Sequence, residues 1–325
     1  MTIARIAMGD ERSIFSQALV QGDLDRMRSV PKADLHNHCL LGMKIETIRE
    51  LSGMKVEPFR YKGNGIRDIN RWIGREYAPV LRVPGMFEKL AEASFRQALA
   101  DGIVLLEMSM DVSFGHLYNI PAEQIVATLQ SAHQRIGTAI TFRPCLGFPR
   151  SLSVRQMLRY FEPYIELGYF RSIDLYDEEY AQPVRNFREL YRYAKKAGLR
   201  CTAHTGEFGT AEMVRESVET LELDAVQHGI AAASSPEVMK WLADRKIPLN
   251  ICPASNIALG LVPSYTGHPV RILFDHGVKV TISTDDIALF GQGVSDEYLH
   301  LYKAGVFSVG ELEEIRIQSM SEIPG

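Results

Sequence analysis

The chain has 325 residues, of which 46% are hydrophobic and 23% charged, with a formal net charge of -4. That size and balance fit one large α/β barrel or two ordinary domains, and the acidic sign argues against a nucleic-acid coat or a binder of anionic membranes. The four cysteines (Cys39, Cys145, Cys201 and Cys252) are far apart and form no Cys-x-x-Cys pair. A disulfide framework and a thiolate zinc site are both disfavoured, and a reducing, cytoplasmic setting is expected.

Residues 1–30 read as a helical extension, with Ile14, Phe15, Ala18 and Leu19 as an apolar stripe before Pro31. Asp10, Glu11, Asp23 and Asp25 are foreign to a secretory signal, and no later run is long and apolar enough to span a bilayer. Residues 33–38 then read as a buried strand carrying His36 and His38. Alternate strand residues share a face, so both imidazoles point the same way and can hold a divalent metal. By spacing alone, such a pair is more often structural.

Residues 44–51 form a short helix. The span 60–82 differs in character, with six Lys/Arg (Arg60, Lys62, Arg67, Arg71, Arg75, Arg82) against two acids and Gly63, Gly65 and Gly74 interleaved. It reads either as a lid over an entrance, within residues 53–85, or as a solvated charged face. Beyond it a rhythm sets in. Predicted helices 86–101, 121–136, 154–167, 184–197 (closed by Gly198), 210–222, 236–245 and 268–275 alternate with predicted strands. Those strands are 103–106, 138–143, 170–175, 199–203, 225–227, 247–251 and 278–283. They are short and rich in Val, Ile and Leu, as parallel strands buried on both faces are. With the first strand this makes eight βα units, the pattern of a (β/α)₈ TIM barrel spanning 1–325 as a single domain, whose site lies at the C-terminal strand ends. A doubly wound sheet is the alternative, but no Gly-x-Gly-x-x-Gly turn follows the first strand.

On a barrel the polar strand ends converge. Strand one ends in His36 and His38, strand five in His204-Thr205-Gly206-Glu207, strand six in His228-Gly229 and strand eight in Ser283-Thr284-Asp285-Asp286. Taken singly, His228 could be a satisfied core residue, either aspartate an N-cap, and Glu207 a partner of the helix dipole. Together, His36, His38, His204 and Asp285 make an N/O set suited to one zinc ion, leaving a place for water. His228 then takes the water's proton or aims the hydroxide, Glu207 serves as general acid, and Asp286, alternating with Asp285, faces the substrate. His116, His133, His268, His276 and His300 are read as structural.

The segments 31–38, 204–207, Val226-Gln227-His228-Gly229, Cys252-Pro253-Ala254-Ser255-Asn256 and 283–286, in this order, resemble the adenosine deaminase family. The resemblance runs from residue 31 to about 305 and implies a zinc-dependent hydrolytic deaminase with ligands His36, His38, His204 and Asp285. It further implies that Glu207 protonates the purine ring nitrogen and that His228 orients and deprotonates water. Asp286 would bond the five-membered ring, and the 6-amino group would leave as ammonia. Gly206 counts among the substrate contacts. The sugar end departs from the family pattern. Leu40 stands where an acid usually meets the ribose 5'-hydroxyl, Asp177 where a glycine amide meets the purine, and Ser109 where an arginine is usual. Little of the family's C-terminal tail follows the last motif.

Loss of the acid beside the 5' position, with the basic 60–82 span and Arg143 and Arg150, makes an adenine nucleoside or its 5'-monophosphate (adenosine, deoxyadenosine, AMP or dAMP) the expected substrate. A free adenine or a 5'-deoxy or 5'-thio nucleoside is the alternative. A binuclear barrel hydrolase would need a lysine within 172–180, and there is none; the cytidine-type motifs are also missing. A catalytically silent nucleoside binder is the remaining rival. No membrane or nucleic-acid polymer is expected as a partner.

Overall fold

In a computed structural model, which describes residues 8–136 and 139–321, eight strands follow one another around a parallel sheet in the order β1 to β8. They are β1 (Lys32–His38), β2 (Ile103–Asp111), β3 (Thr141–Pro149), β4 (Ser172–Tyr176), β5 (Arg200–Thr205), β6 (Ala225–His228), β7 (Leu249–Ile251) and β8 (Val280–Ile282). Helices separate them, and the nearly closed (β/α)₈ barrel expected from the rhythm is present. The seam between β8 and β1 is made just past β8: the Asp285 amide donates to the His36 carbonyl at 2.8 Å, and Asn37 and Asp285 form a parallel bridge.

The strands are buried because their side chains are needed on both faces. Phe15, Leu19, Leu106, Phe148, Ile173 and Leu242 belong to one continuous apolar core. Inside the barrel a polar chain replaces part of the usual branched layer. Thr281 Oγ1 donates to Asn250 Oδ1 at 2.8 Å, and Asn250 Nδ2 donates to Gln227 Oε1 at 2.9 Å and to the Leu35 carbonyl at 3.2 Å. These groups satisfy one another, as buried polar groups must.

Two strands run further than the sequence suggests. β2 continues to Asp111 and β3 to Pro149, whereas the expected β3 was 138–143; its first residue, Thr138, lies outside the described residues. Pro144, Gly147 and Pro149 look like breakers. Yet Pro144 still accepts the Arg171 amide at 2.8 Å. Gly147 is needed because a Cβ there would come within 2.7 Å of the Tyr176 ring and 2.8 Å of Ser109 Oγ. The helix expected at 268–275 starts at Val270, leaving His268 buried ahead of it.

The N-terminal extension is helical over Met8–Gln21 and Leu24–Arg28; its first seven residues lie outside the described part. Asp23 caps the second helix by accepting the Arg26 amide at 3.0 Å. Phe15 packs edge-on against Tyr298, and Arg316 of the last helix, Val309–Met320, donates to the Pro31 carbonyl at 2.7 Å. Both chain ends thus brace the entry to β1. Between β1 and β2 the chain forms the helix Ile66–Trp72, one wide π turn Ile73–Tyr77 and the short helix Ala78–Leu81. Pro79 has no N–H for the carbonyl four residues back, and the wider turn accommodates it. Tyr77 ends the π turn and donates its hydroxyl to the Leu40 carbonyl.

The seam is further held by Asp34 of β1, whose buried carboxyl accepts from the Thr284 hydroxyl at 2.6 Å and from Asn37 Nδ2 at 3.1 Å. Thr284→Val strips one donor from a buried carboxyl. It is expected to destabilise the protein by about 1–3 kcal/mol, read as a lowered urea midpoint; an unchanged midpoint would show that the seam does not depend on this bond.

Candidate active site

The C-terminal strand ends bring together every residue predicted to ligate metal. His36 Nε2 and His204 Nε2 face each other at 3.0 Å. Asp285 Oδ1 lies 3.2 Å from His38 Nε2 and 3.8 Å from His36 Nε2. Ligand atoms of His36, His38 and His204 all fall within 4.8 Å of one another, as do those of His38, Asp285 and Asp286.

Two of the rear ring nitrogens face polar neighbours, although His204 Nδ1 has no aligned hydrogen-bond partner among the described residues. His204 Nδ1 is 2.9 Å from Asp174 Oδ2, and His36 Nδ1 is 3.4 Å from Cys252 Sγ. Burial pushes the Cys252 thiol well above its usual value, so it stays neutral. Burial also drives His36 well below its usual value, helped by the neighbouring His228 and His204. A neutral imidazole with its rear nitrogen engaged presents a bare lone pair forwards, which is what a metal ligand requires. Burial pushes His38 down, yet Asp286 and the bond to Asp285 outweigh it and lift its pKa to about 10. Two imidazole nitrogens 3.0 Å apart beside a carboxylate fit one cation.

His228, ending β6, is set by a relay that runs behind it. The Val270 amide donates to His268 Nδ1 at 3.1 Å, so the His268 proton is on Nε2, 3.2 Å from Asn256 Oδ1. Asn256 Nδ2 in turn donates to His228 Nδ1 at 3.2 Å. The His228 proton is therefore on Nε2, which points into the site 3.6 Å from Glu207 Oε1 and 3.7 Å from Asp285 Oδ2. Burial lowers the pKa of His228 to about 3, so the ring is neutral. His228 Nε2 and Asp286 Oδ1 are buried with no protein partner. Glu207 is raised well above the ordinary carboxyl range, first by burial and then by the charges of Asp285 and Glu179. Burial also lifts Asp286, to about 7.

Four side-chain-bearing residues at the strand ends adopt the left-handed backbone region: Leu40 (φ 72°), Asp177 (φ 80°), His228 (φ 62°) and Asp285 (φ 62°). Each such residue costs on the order of 1–3 kcal/mol. All four line the cleft that opens above the histidines, of about 1070 Å³.

Asp286, Leu40 and Asp177 line this cleft as expected of substrate contacts, but Gly206 does not. Its amide is committed to Glu179 Oε2 at 2.7 Å. Asp177 spends a carboxylate oxygen on Asn70 Nδ2, at 2.9 Å, tying β4 to the 66–81 segment. Most of the cations offered for a phosphate are elsewhere, while the charge of Arg82 reaches Tyr118 of the cleft lining. Arg143 lies within β3 and pairs with Glu107 at 2.9 Å, while Arg150 is 1% exposed and donates to backbone carbonyls. Arg60, Lys62, Arg71 and Arg75 line a separate groove with Glu57, Asp68 and Trp72, and Arg67 pairs with Glu178 at 3.2 Å. Among the described residues no Lys or Arg lines the cleft. Of the residues the sequence reading passed over, Asp174 and Glu179 sat unremarked in an acidic run, and His268 was taken as structural.

Comparison with known proteins agrees with this geometry. The family described as Adenosine deaminase matches residues 66–323. A Treponema pallidum protein with the provisional name adenosine/adenine deaminase is 33% identical over 285 residues, 88% of this chain and 95% of its own length. The crystal structure of adenine deaminase from Arthrobacter aurescens superposes with a TM-score of 0.82 at 25% identity, covering 91% of this chain and 94% of that one. An amidohydrolase from Burkholderia ambifaria, crystallised with bound Zn, shares the fold at a TM-score of 0.79 and 22% identity, over 98% and 88% of the two chains. With its barrel, its clustered histidines and these relatives, the chain belongs to the adenosine deaminase family.

Proposed function

We propose that the cleft hydrolytically deaminates an adenine compound that carries no phosphate, using one zinc ion held by His36, His38, His204 and Asp285. What carries the reading is the meeting of three imidazoles, a carboxylate and a buried Glu207, whose pKa is raised by burial, in one cleft. The ion supplies a Lewis acid that brings the pKa of water to about 7. The chain's own groups do the rest. His228, with its proton on Nε2, donates towards the attacking oxygen and aims it. Glu207 gives its proton to the ring nitrogen next to the amino-bearing carbon, which is the task of a carboxyl with a raised pKa. Asp286 accepts from or donates to the far ring of the purine. Water adds at the carbon, one of its protons leaves with the amino group as ammonia, the other returns to Glu207, and a carbonyl replaces the amino group.

The substrate's other end is read from the mouth of the cleft. Leu40, Ile66, Ile69, Ile73, Leu81 and Phe114 give the cleft apolar walls, and apart from the proposed metal and catalytic residues and Asp286, the acidic side chains in its lining are Asp111 and Asp177. A phosphate there would meet two acidic side chains and, among the described residues, no Lys or Arg in the lining itself, at about 1–4 kcal/mol for each close like-charge pair. This favours a 5'-deoxy or 5'-thio adenine nucleoside over AMP, reversing the preference that the arginine-rich span suggests. Free adenine is the second reading, supported by the adenine deaminase name of the Arthrobacter relative.

Three measurements bear on this. In an ammonia-release panel, kcat/KM for 5'-methylthioadenosine should exceed that for AMP by at least about tenfold. AMP as the best substrate sinks the phosphate argument, and adenine as the best one selects the second reading. Glu207→Gln should lower kcat by about 10²- to 10⁴-fold; near-normal turnover would remove the general-acid role. Asp174→Asn should loosen metal binding by about 10- to 100-fold, seen as zinc lost to a weaker chelator during dialysis. Retention equal to the parent protein would count against a support role for Asp174.

A further inference from the structure

Behind Glu207 lies a carboxylate that the proposed chemistry does not use. Glu179 follows β4 and is 2% exposed. It accepts four consecutive backbone N–H groups from the turn after β5: Gly206 at 2.7 Å on Oε2, then Glu207 at 2.9 Å, Phe208 at 2.7 Å and Gly209 at 3.2 Å on Oε1. A turn that aims successive amides at one anion is a nest, here filled from within the chain. The glycines make it possible. Gly206 adopts φ +68°, and a Cβ on Gly209 would sit 2.6 Å from Glu179 Oε2.

Arg150 clamps the same two elements. Its guanidinium donates to the Glu179 carbonyl at 3.2 Å and to the His204 carbonyl at 2.9 Å. The turn that carries both His204 and Glu207 is thus anchored by its amides and by a carbonyl to one segment after β4. The charge of Glu179 also contributes, after burial and Asp285, to raising the pKa of Glu207.

We propose that Glu179 is the positioning residue for Glu207: by gathering the four amides of 206–209 it fixes the direction in which the Glu207 carboxyl enters the cleft. This rests on the reading of Glu207 as proton donor. Glutamine at 179 has one acceptor oxygen and turns an amide N–H towards donors, so the cradle cannot be met in full.

The test uses four zinc-loaded proteins: the parent, Glu207→Gln, Glu179→Gln and the double variant. Ammonia release is followed from 5'-methylthioadenosine, or from adenine if the base proves to be the substrate. Glu179→Gln should lose about 10- to 100-fold in kcat with less than about threefold change in KM and unaltered zinc content. In the double variant kcat should match Glu207→Gln alone, because groups acting through one another do not add. Losses that multiply in the double variant, a normal kcat in Glu179→Gln, or a loss explained by missing zinc would each overturn the proposal. If Glu179→Gln does not fold, Gly209→Ala perturbs the cradle from its other wall with the carboxylate kept. It should show the same split between kcat and KM, and a normal kcat there also overturns the proposal. Failure of Glu207→Gln itself to slow turnover would instead strike the general-acid reading, a separable result.

Discussion

Everything in the site depends on how the barrel closes. The 2.8 Å bond from the Asp285 amide to the His36 carbonyl joins the last strand's extension to the first strand at the level where the ligands project. Residues 249 positions apart in the chain are thereby placed side by side, and the His38–Asp285 approach of 3.2 Å follows from it. Behind this contact, Asp34, Asn37 and Thr284 bond to one another and leave the seam little freedom to open. A metal centre built on strands inherits the stiffness of the sheet, which a site built on loops does not.

The strain sits at the same level. Leu40, Asp177, His228 and Asp285 hold left-handed backbone conformations that glycine would adopt at no steric cost. At His228 and Asp285 a glycine would lack the imidazole or the carboxylate. The rest of the fold offsets the cost through a continuous apolar core and a satisfied polar chain across the barrel. The charges show the same logic. Burial lowers the pKa of His36 and His228 and raises that of Glu207, in each case disfavouring the charged form.

Much of this was legible in the sequence because the β/α rhythm assigns strand ends, and histidines and acids at strand ends of a barrel have one place to go. His36, His38, His204, Glu207, His228 and Asp285 were all readable in that way. What escaped was whatever contradicts the ordinary habit of a residue type. Pro144, Gly147 and Pro149 read as a break and lie within a strand. Arg150 reads as a cation for a substrate phosphate and is buried against carbonyls. Glu179 sits in a run of acids that resembles a hydrated loop, and its nest is formed by residues of another strand end. His268 carries no local sign that it sets the tautomer of His228 two steps away. Long-range partners of this kind become visible only once the chain is folded.

The π turn at 73–77 has a consequence for the length of the chain above the cleft. Each helical residue turns the backbone by about 100°, and the wider turn absorbs one residue that a regular helix would not. Losing one residue within the turn would therefore let the stretch close into a regular helix, with the Tyr77 hydroxyl still directed at the Leu40 carbonyl. The length of this stretch can thus drift by one at the turn, while Asn70 and Tyr77 are held to their identities by Asp177 and the Leu40 carbonyl.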